Sequence, residues 1–316
     1  MFNSKKLFIL LCVITLAVLF TGCASKTSLT SPGEKIKVVA SIYPVYEFTK
    51  VVGGDKIDVR LLVPQGAEPH DWEPTAAEII KIKSAQIFFY HGAGMENLDK
   101  ILNPATLGTT QAIAVSQNIQ PLTPSQEENK AENEGEIHAS HEHSDAHMWL
   151  DPINAEQEVL TIAEALAAKD PANADYYRKN AENYNKELAS LDTEYREALS
   201  SIPRRDLITS HAAFGYLTKR YNLTQLSIMG LTPDSEPTPE KMANVVTFCR
   251  EHQVKYIFFE TLVSPKLSET VARETGAKLL VLNPIESLTE EETTQGKTYL
   301  SIMRENLANI KKALSE

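Results

Sequence analysis

The chain has 316 residues, 42% of them hydrophobic and 23% charged, enough for two ordinary globular domains with a buried core in each. Its formal net charge of −11, from 31 basic and 42 acidic residues, argues against a nucleic-acid grip, which needs a surplus of Lys and Arg. The composition excludes collagen-like, disordered and multi-pass membrane classes, and three cysteines (Cys12, Cys23, Cys249) make no disulfide framework.

Lys5 and Lys6 precede an apolar run from Leu7 to Phe20, interrupted only by Thr15. The run is shorter than the ~20 residues that cross a bilayer, and it fits the core of a secretory signal peptide over residues 1–22. It ends in Phe20-Thr21-Gly22-Cys23, which resembles the bacterial lipoprotein processing site, with Phe20 where Leu is usual. Cleavage there leaves Cys23 as a lipid-carrying N-terminus, anchored to the membrane without spanning it. The rival reading is an ordinary secretory cleavage with Cys23 incidental. Residues 23–34 are small, polar and broken by Pro32-Gly33, the composition of a flexible tether.

Short runs rich in Val, Ile, Leu and Phe predict strands at 35–41, 57–63, 86–90 and 111–115, separated by helices over about 44–53, 75–84 and 95–102. Residues 124–146 are polar and acidic, cannot bury enough surface to fold, and read as a loop inserted in the first domain. A shorter amphipathic helix is expected over 154–169. A long one follows over about 171–201, with Tyr177, Ala181, Tyr184, Leu188, Leu191, Tyr195 and Leu199 on one face. Such a rigid connector would restrain a wide hinge motion. The pattern then repeats, with strands at 205–210, 224–229, 255–260 and 278–282 and helices over about 213–221, 238–252, 265–276 and 296–315. Alternating strands and helices imply parallel sheets covered on both faces. The expected fold is therefore α/β: two lobes, 35–170 and 203–316, each with a four-stranded parallel sheet flanked by helices, bridged by one long α-helix over 171–202.

Histidines fall at the strand ends. His70 follows the second strand, His147 follows the fourth strand and the acidic loop, and His211 directly follows the fifth. Glu286 follows the last strand in the same way. In open α/β sheets ligands bind beyond the carboxyl ends of the strands, so a site between the lobes would collect two groups from each. Any one of these histidines, taken singly, is more often structural than a ligand. Three at equivalent ends, with a carboxylate at a fourth, suit a borderline divalent metal such as four-coordinate Zn2+. Ligand imidazoles must be neutral, so affinity is expected to fall as pH drops through about 6.5 and below.

The motifs Ala40-Ser41-Ile42-Tyr43-Pro44, Glu68-Pro69-His70-Asp71-Trp72, His147-Met148-Trp149-Leu150-Asp151-Pro152, Ser210-His211-Ala212-Ala213-Phe214-Gly215-Tyr216 and Asn283-Pro284-Ile285-Glu286 make the chain similar to a known family. It resembles the metal-binding lipoproteins of bacterial ABC importers, in their zinc branch, over nearly the whole mature chain. The resemblance implies two α/β lobes bridged by a long helix, metal ligands at His70, His147, His211 and Glu286, and delivery of Zn2+ to a permease with a cytoplasmic ATPase. Manganese-type relatives carry Glu in place of the third histidine, so His211 points to zinc over Mn2+. The fourth position stays open to Glu286, Glu68 or a water.

His138, His141 and His143 lie just before His147, and a histidine-rich loop also recurs in the zinc branch. A flexible chain of imidazoles and carboxylates binds zinc weakly but quickly. It is expected to capture metal beside the main site, the rival being a solvated acidic run with no role. Deleting 125–144 should then slow zinc loading at low metal and leave the main-site affinity nearly unchanged; unchanged loading kinetics would count against capture. Glu68, Glu260 and Asp151 are expected beside the ligands, where a carboxylate on an imidazole N–H would fix its tautomer. His91 is expected to play a supporting or surface role, and His252 to be solvated. Trp72 and Trp149 are expected to pack rather than bind, and Cys249 to be buried and inert. An enzyme is not expected, since neither H-E-x-x-H nor G-x-S-x-G occurs. The remaining alternatives are a zinc hydrolase with Glu68 or Glu286 as base, a surface adhesin, and a manganese receptor of the same family.

Overall fold

The computed structural model describes residues 35–98, 100–122, 145–233 and 236–316. The signal peptide, the tether with Cys23, and the histidines His138, His141 and His143 lie outside them. Strands β1 (Ile36–Ala40), β2 (Ile57–Leu61), β3 (Ile87–Tyr90) and β4 (Gln111–Ala114) form one parallel sheet in the order β2-β1-β3-β4. Val38 is in register with Val59 on one side and Ile87 on the other. The period of two sorts the side chains. Ile36, Val38, Ala40, Ile87 and Phe89 enter the main core, while Val39 and Phe88 face a smaller cluster with Ile82 and Leu98.

Helix α1 (Tyr43–Gly53) begins with Pro44, whose fixed φ suits a first turn. Helix α2 (Ala76–Ser84) begins with a capping box between Thr75 and Glu78. The helix expected over 95–102 does not form. Glu96 turns back to accept the backbone N–H of His91 (2.6 Å) and Gly92 (3.0 Å), which holds the chain in turns. The helical segment is instead α3 (Pro104–Leu107), where Asn103 caps the Thr106 N–H and Pro104 opens the first turn.

Helix α4 (Pro152–Lys169) packs along α5 (Ala174–Leu199), and α5 also touches α1. At 26 residues α5 is about 39 Å long. Its start is later than 171 because Pro171–Asn173 forms a tight 3-10 turn, with Asp170 accepting from Asn173 and from the Tyr177 hydroxyl. Tyr177, Ala181, Tyr184, Leu188, Leu191, Tyr195 and Leu199 are all buried on one face.

In the second half β5 (Asp206–Thr209) pairs with β6 (Thr224–Ser227), and β7 (Tyr256–Phe259) with β8 (Lys278–Val281), all parallel. The expected four-stranded sheet is thus two ladders. β5 and β7 lie side by side, but the join between them is made by side chains. Ile208 and Ile257 share an apolar cluster with Val245 and Val271, and Glu260 reaches across to Ser210 and His211. Helices α6 (Gly215–Arg220), α7 (Pro239–Glu251) and α8 (Lys266–Thr275) follow the strands in turn. A short helix the sequence reading lacks, α9 (Glu290–Thr294), starts at a Thr289–Glu292 capping box. The last helix, α10 (Tyr299–Ser315), starts three residues later than expected. Gly296 takes a left-handed φ of 68°, and Thr298 supplies the cap with Ser301.

One apolar core runs through both halves, from Phe48 of α1 through Trp149 and Tyr195 to Phe214, Phe258 and Tyr299. Glu47 crosses the same region: its carboxylate accepts the Tyr299 N–H at the start of α10 and the hydroxyls of Tyr43 and Tyr184. A buried carboxylate so placed satisfies a helix end that would otherwise be orphaned, which is typically worth about 1 kcal/mol.

Candidate metal centre

In the first sheet the order reverses between β1 and β3, where a ligand crevice would be expected. Glu96 fills that crevice, bonded to Ser41, His91 and Gly92. The donors gather elsewhere, on the loops leaving β2, β4, β5 and β8. His70, His147, His211 and Glu286 each present one ligand atom, and these atoms lie within 4.8 Å of one another. His147 Nε2 is 3.3 Å from His70 Nε2, 3.3 Å from His211 Nε2 and 3.0 Å from Glu286 Oε1. Glu286 Oε1 is also 3.4 Å from His211 Nε2 and 3.7 Å from His70 Nε2. His147 and His211 are fully buried and Glu286 nearly so, while His70 keeps some exposure.

Each donor is aimed by its own loop. The loop to His70 begins with a turn in which Ala67 N–H returns to Pro64 O and Gly66 takes a φ of +77°. Glycine occupies that left-handed position without steric cost. The Gly66 N–H then reaches Leu288 O (2.9 Å), tying the loop to the segment that carries Glu286. Glu286 itself follows Ile285, a β-branched residue at φ 63°. Such a conformation costs of order 1–3 kcal/mol and persists only where its surroundings enforce it. Here Asn283 Oδ1 holds the Ile285 N–H at 2.7 Å, Asn306 grips both the N–H and the carbonyl of Asn283, and the Trp149 indole donates to Pro284 O at 2.8 Å.

His147 is set by Asp145, whose Oδ1 accepts from both its backbone N–H and its Nδ1, each at 2.9 Å. His211 Nδ1 lies 2.7 Å from Glu260. In both, the carboxylate fixes the tautomer and leaves Nε2 toward the cluster. Asp145 is the group sequence reasoning misses. Asp151, expected in that place, caps α4 through the Ile153 N–H (2.9 Å) and pairs with Arg220 (3.0 Å). Among the described residues no carboxylate meets His70 Nδ1. Glu68 accepts the His70 N–H at 3.2 Å, and its Oε2 is buried without a hydrogen-bond partner.

The charges follow from this crowding. Burial pushes His147 down, but Asp145 and Glu286 outweigh it and lift its pKa to about 9. His211 is likewise raised well above the usual range, Glu260 and Glu286 overcoming burial. Burial alone would raise Glu286, yet the three imidazoles hold it well below the usual carboxylate range. Glu68 rises to about 8, through burial and the neighbouring Glu286 charge. Three nitrogen donors and one ionised oxygen, converging out of water, match the donor chemistry of a tetrahedral zinc site.

The other candidates fall outside the cluster. His91 is buried, with Nε2 3.3 Å from Glu158 and Nδ1 3.1 Å from Gly92 O. Its ring packs on Trp149, which packs in turn on His147. Trp72 is a partly buried core residue. His252 is exposed and near Asp206. Cys249 is buried, and burial raises its thiol to about 11, far from a reactive thiolate.

Residues 38–313 match the family model described as "Zinc-uptake complex component A periplasmic". The chain belongs to the zinc-uptake component A family. Among curated relatives, the "High-affinity zinc uptake system protein ZnuA" of Bacillus subtilis (strain 168) is 40% identical over 310 residues, 98% of this chain and 97% of that protein. The "Zinc-binding lipoprotein AdcA" of Streptococcus pneumoniae (strain R6) is 37% identical over 313 residues, 99% of this chain but 62% of AdcA. The crystal structure of its Zn(II)-bound ZnuA-like domain superposes with a TM-score of 0.75, covering 90% of this chain and 100% of that one. The laminin-binding protein Lmb of Streptococcus agalactiae, titled a bifunctional protein with adhesin and metal transporting activity, superposes at 0.78 with 33% identity. It covers 89% of this chain and all of Lmb. Structures of this zinc-uptake family thus share the α/β fold traced above.

Proposed function

We propose that this zinc-uptake family member is an extracytoplasmic receptor that captures Zn2+ and delivers it to an ABC-type importer. The ion is held between two α/β lobes, residues 35–170 and 203–316, joined through 171–202. His70 and His147 come from the first lobe, His211 and Glu286 from the second. The observation that carries the reading is the convergence of those four donor atoms within 4.8 Å. Four protein donors fill a tetrahedral shell, whereas catalytic zinc keeps an open position, so the site suits a carrier that hands its ion on unchanged.

The loaded receptor docks on the importer's permease, and a cytoplasmic ATPase powers uptake. Lipid on Cys23 keeps the monomeric receptor at the outer face of the cell membrane, with 23–34 as its tether. Among the described residues no helix is long and apolar enough to cross a membrane. His138, His141 and His143 capture zinc beside the main site. Elemental analysis of the purified mature protein, followed by competition, tests the assignment. One zinc per chain, not displaced by a large excess of manganese, is the expected result. Manganese retained against equimolar zinc would overturn it, and turnover of an ester or peptide by the zinc-loaded protein would replace a carrier with a hydrolase. Adhesion alongside metal carriage takes its support from Lmb; laminin binding that survives His211→Ala would establish it.

A further inference from the structure

Gly215 opens α6, four residues beyond His211, and its backbone needs no glycine: its φ lies outside the left-handed region. Alanine would ordinarily favour a helix there. What excludes a side chain is Asp145. A Cβ on Gly215 would collide with Asp145 Oδ2, and it would also meet Leu122 Cδ1 at 3.4 Å. Asp145 has little freedom to give way, because its Oδ1 is already bonded to both the N–H and the Nδ1 of His147. The neighbouring Tyr216 takes the Leu122 N–H on its hydroxyl at 3.0 Å. Leu122 and Asp145, far apart in sequence, thus both rest on Gly215-Tyr216 of the second half of the chain.

We propose that Gly215 is a positioning residue for the metal: its missing side chain leaves the slot that seats Asp145, and through Asp145 it sets the orientation of His147. The Gly-Tyr pair closing the His211 motif then acts on a ligand from the other half of the protein. A metal-ligating imidazole depends on the acceptor at its second nitrogen, and losing that acceptor typically weakens metal binding 10- to 100-fold. The inference rests on the ligand assignment above.

The test compares Gly215→Ala, Asp145→Ala and the double variant in the full mature chain. Zinc release to an excess of chelator is timed, and the Co2+-substituted proteins are compared by their d–d absorption. Gly215→Ala should release zinc at least tenfold faster and change the Co2+ spectrum. In Asp145→Ala the slot is empty, so adding Gly215→Ala should change nothing further. The double variant should fold and match Asp145→Ala even if Gly215→Ala alone misfolds. Parent-like release and spectrum in Gly215→Ala, effects that multiply in the double variant, or a misfolded double variant would each overturn the proposal. If the parent itself failed to bind zinc, or His211→Ala bound it normally, the ligand assignment would fall instead.

Discussion

His211→Ala is expected to weaken zinc binding by roughly 100- to 1,000-fold. Structural zinc sites bind with about 10–16 kcal/mol near pH 7. Shared over four ligands, that is about 2.5–4 kcal/mol each, and every 1.4 kcal/mol is tenfold in affinity. His211 should sit at the upper end of that range. Its ring is fully buried, its Nε2 faces both His147 and Glu286, and its Nδ1 holds Glu260. Removing the ring also strips Glu260 of a partner in a dry place, a loss of about 1–3 kcal/mol in the metal-free protein. His70→Ala should be milder, since His70 is partly exposed and no described carboxylate orients its Nδ1. Competition with a chromophoric chelator gives the affinities, and circular dichroism checks that the variants fold. Parent-like affinity in His211→Ala would remove the metal centre from the account.

The second large effect is on pH. Zinc needs the Nε2 lone pair of each imidazole, and in the metal-free protein the neighbouring carboxylates favour a proton on His147 and on His211. His147 keeps its proton up to about pH 9 and His211 is raised well above its usual value. Binding therefore expels protons, and each one expelled makes the apparent affinity tenfold weaker per pH unit of acidification. With both imidazolium protons displaced, affinity should fall up to about a hundredfold per unit below pH 9. The isolated-histidine expectation, a decline beginning near pH 6.5, is moved upward by Asp145, Glu260 and Glu286. The same imidazolium–carboxylate bonds stabilise the metal-free fold. For His147 that contribution is complete below about 6.5 and is lost as pH rises through about 9. Raising pH across this window should lower the metal-free melting point while enlarging the shift that zinc produces. Titration calorimetry in buffers of different ionisation enthalpy counts the protons released; no release, with affinity constant from pH 8 to pH 5, would contradict the arrangement.

Much of this was legible in the chain because strands advertise themselves. The runs around Val38, Phe88, Ile208 and Phe258 mark buried parallel strands, and His70, His147, His211 and Glu286 follow strands at the carboxyl edge. Packing was legible on α5, where the apolar spacing gives the buried face residue by residue. Asp145 was not, because it closes an acidic run and looks like one more solvated charge. The available signal is its spacing: an Asp two residues before a histidine can accept that residue's own N–H. Asp151 misleads because its nearness to His147 is real in sequence, but Asp-Pro at a helix start goes to capping. The left-handed turn at Ile285 is only half marked: Asn283, two residues earlier, takes its N–H, but the groups that complete the hold come from Asn306 and Trp149, remote in the chain. The β5–β7 seam is equally silent: a strand's residues record that it is buried, not which neighbour completes it.

The uninterrupted core has a bearing on how an empty receptor could be told from a full one. Phe48 of α1 meets Tyr184 of α5 at a tilt and Tyr299 of α10 edge-on, with ring centroids 5.9 and 5.0 Å away. Prising the halves apart like a jaw would wet these rings. Fully burying such a side chain is worth about 1.5–3 kcal/mol of hydrophobic stabilisation. Opening the halves is thus opposed by contacts that the ion does not touch. Discharge should accordingly leave the frame standing and alter only the loops that bear the four donors. A transporter inspecting such a molecule would have to feel for the set of a few side chains, as a lock feels the cut of a key, rather than for the swing of a hinge.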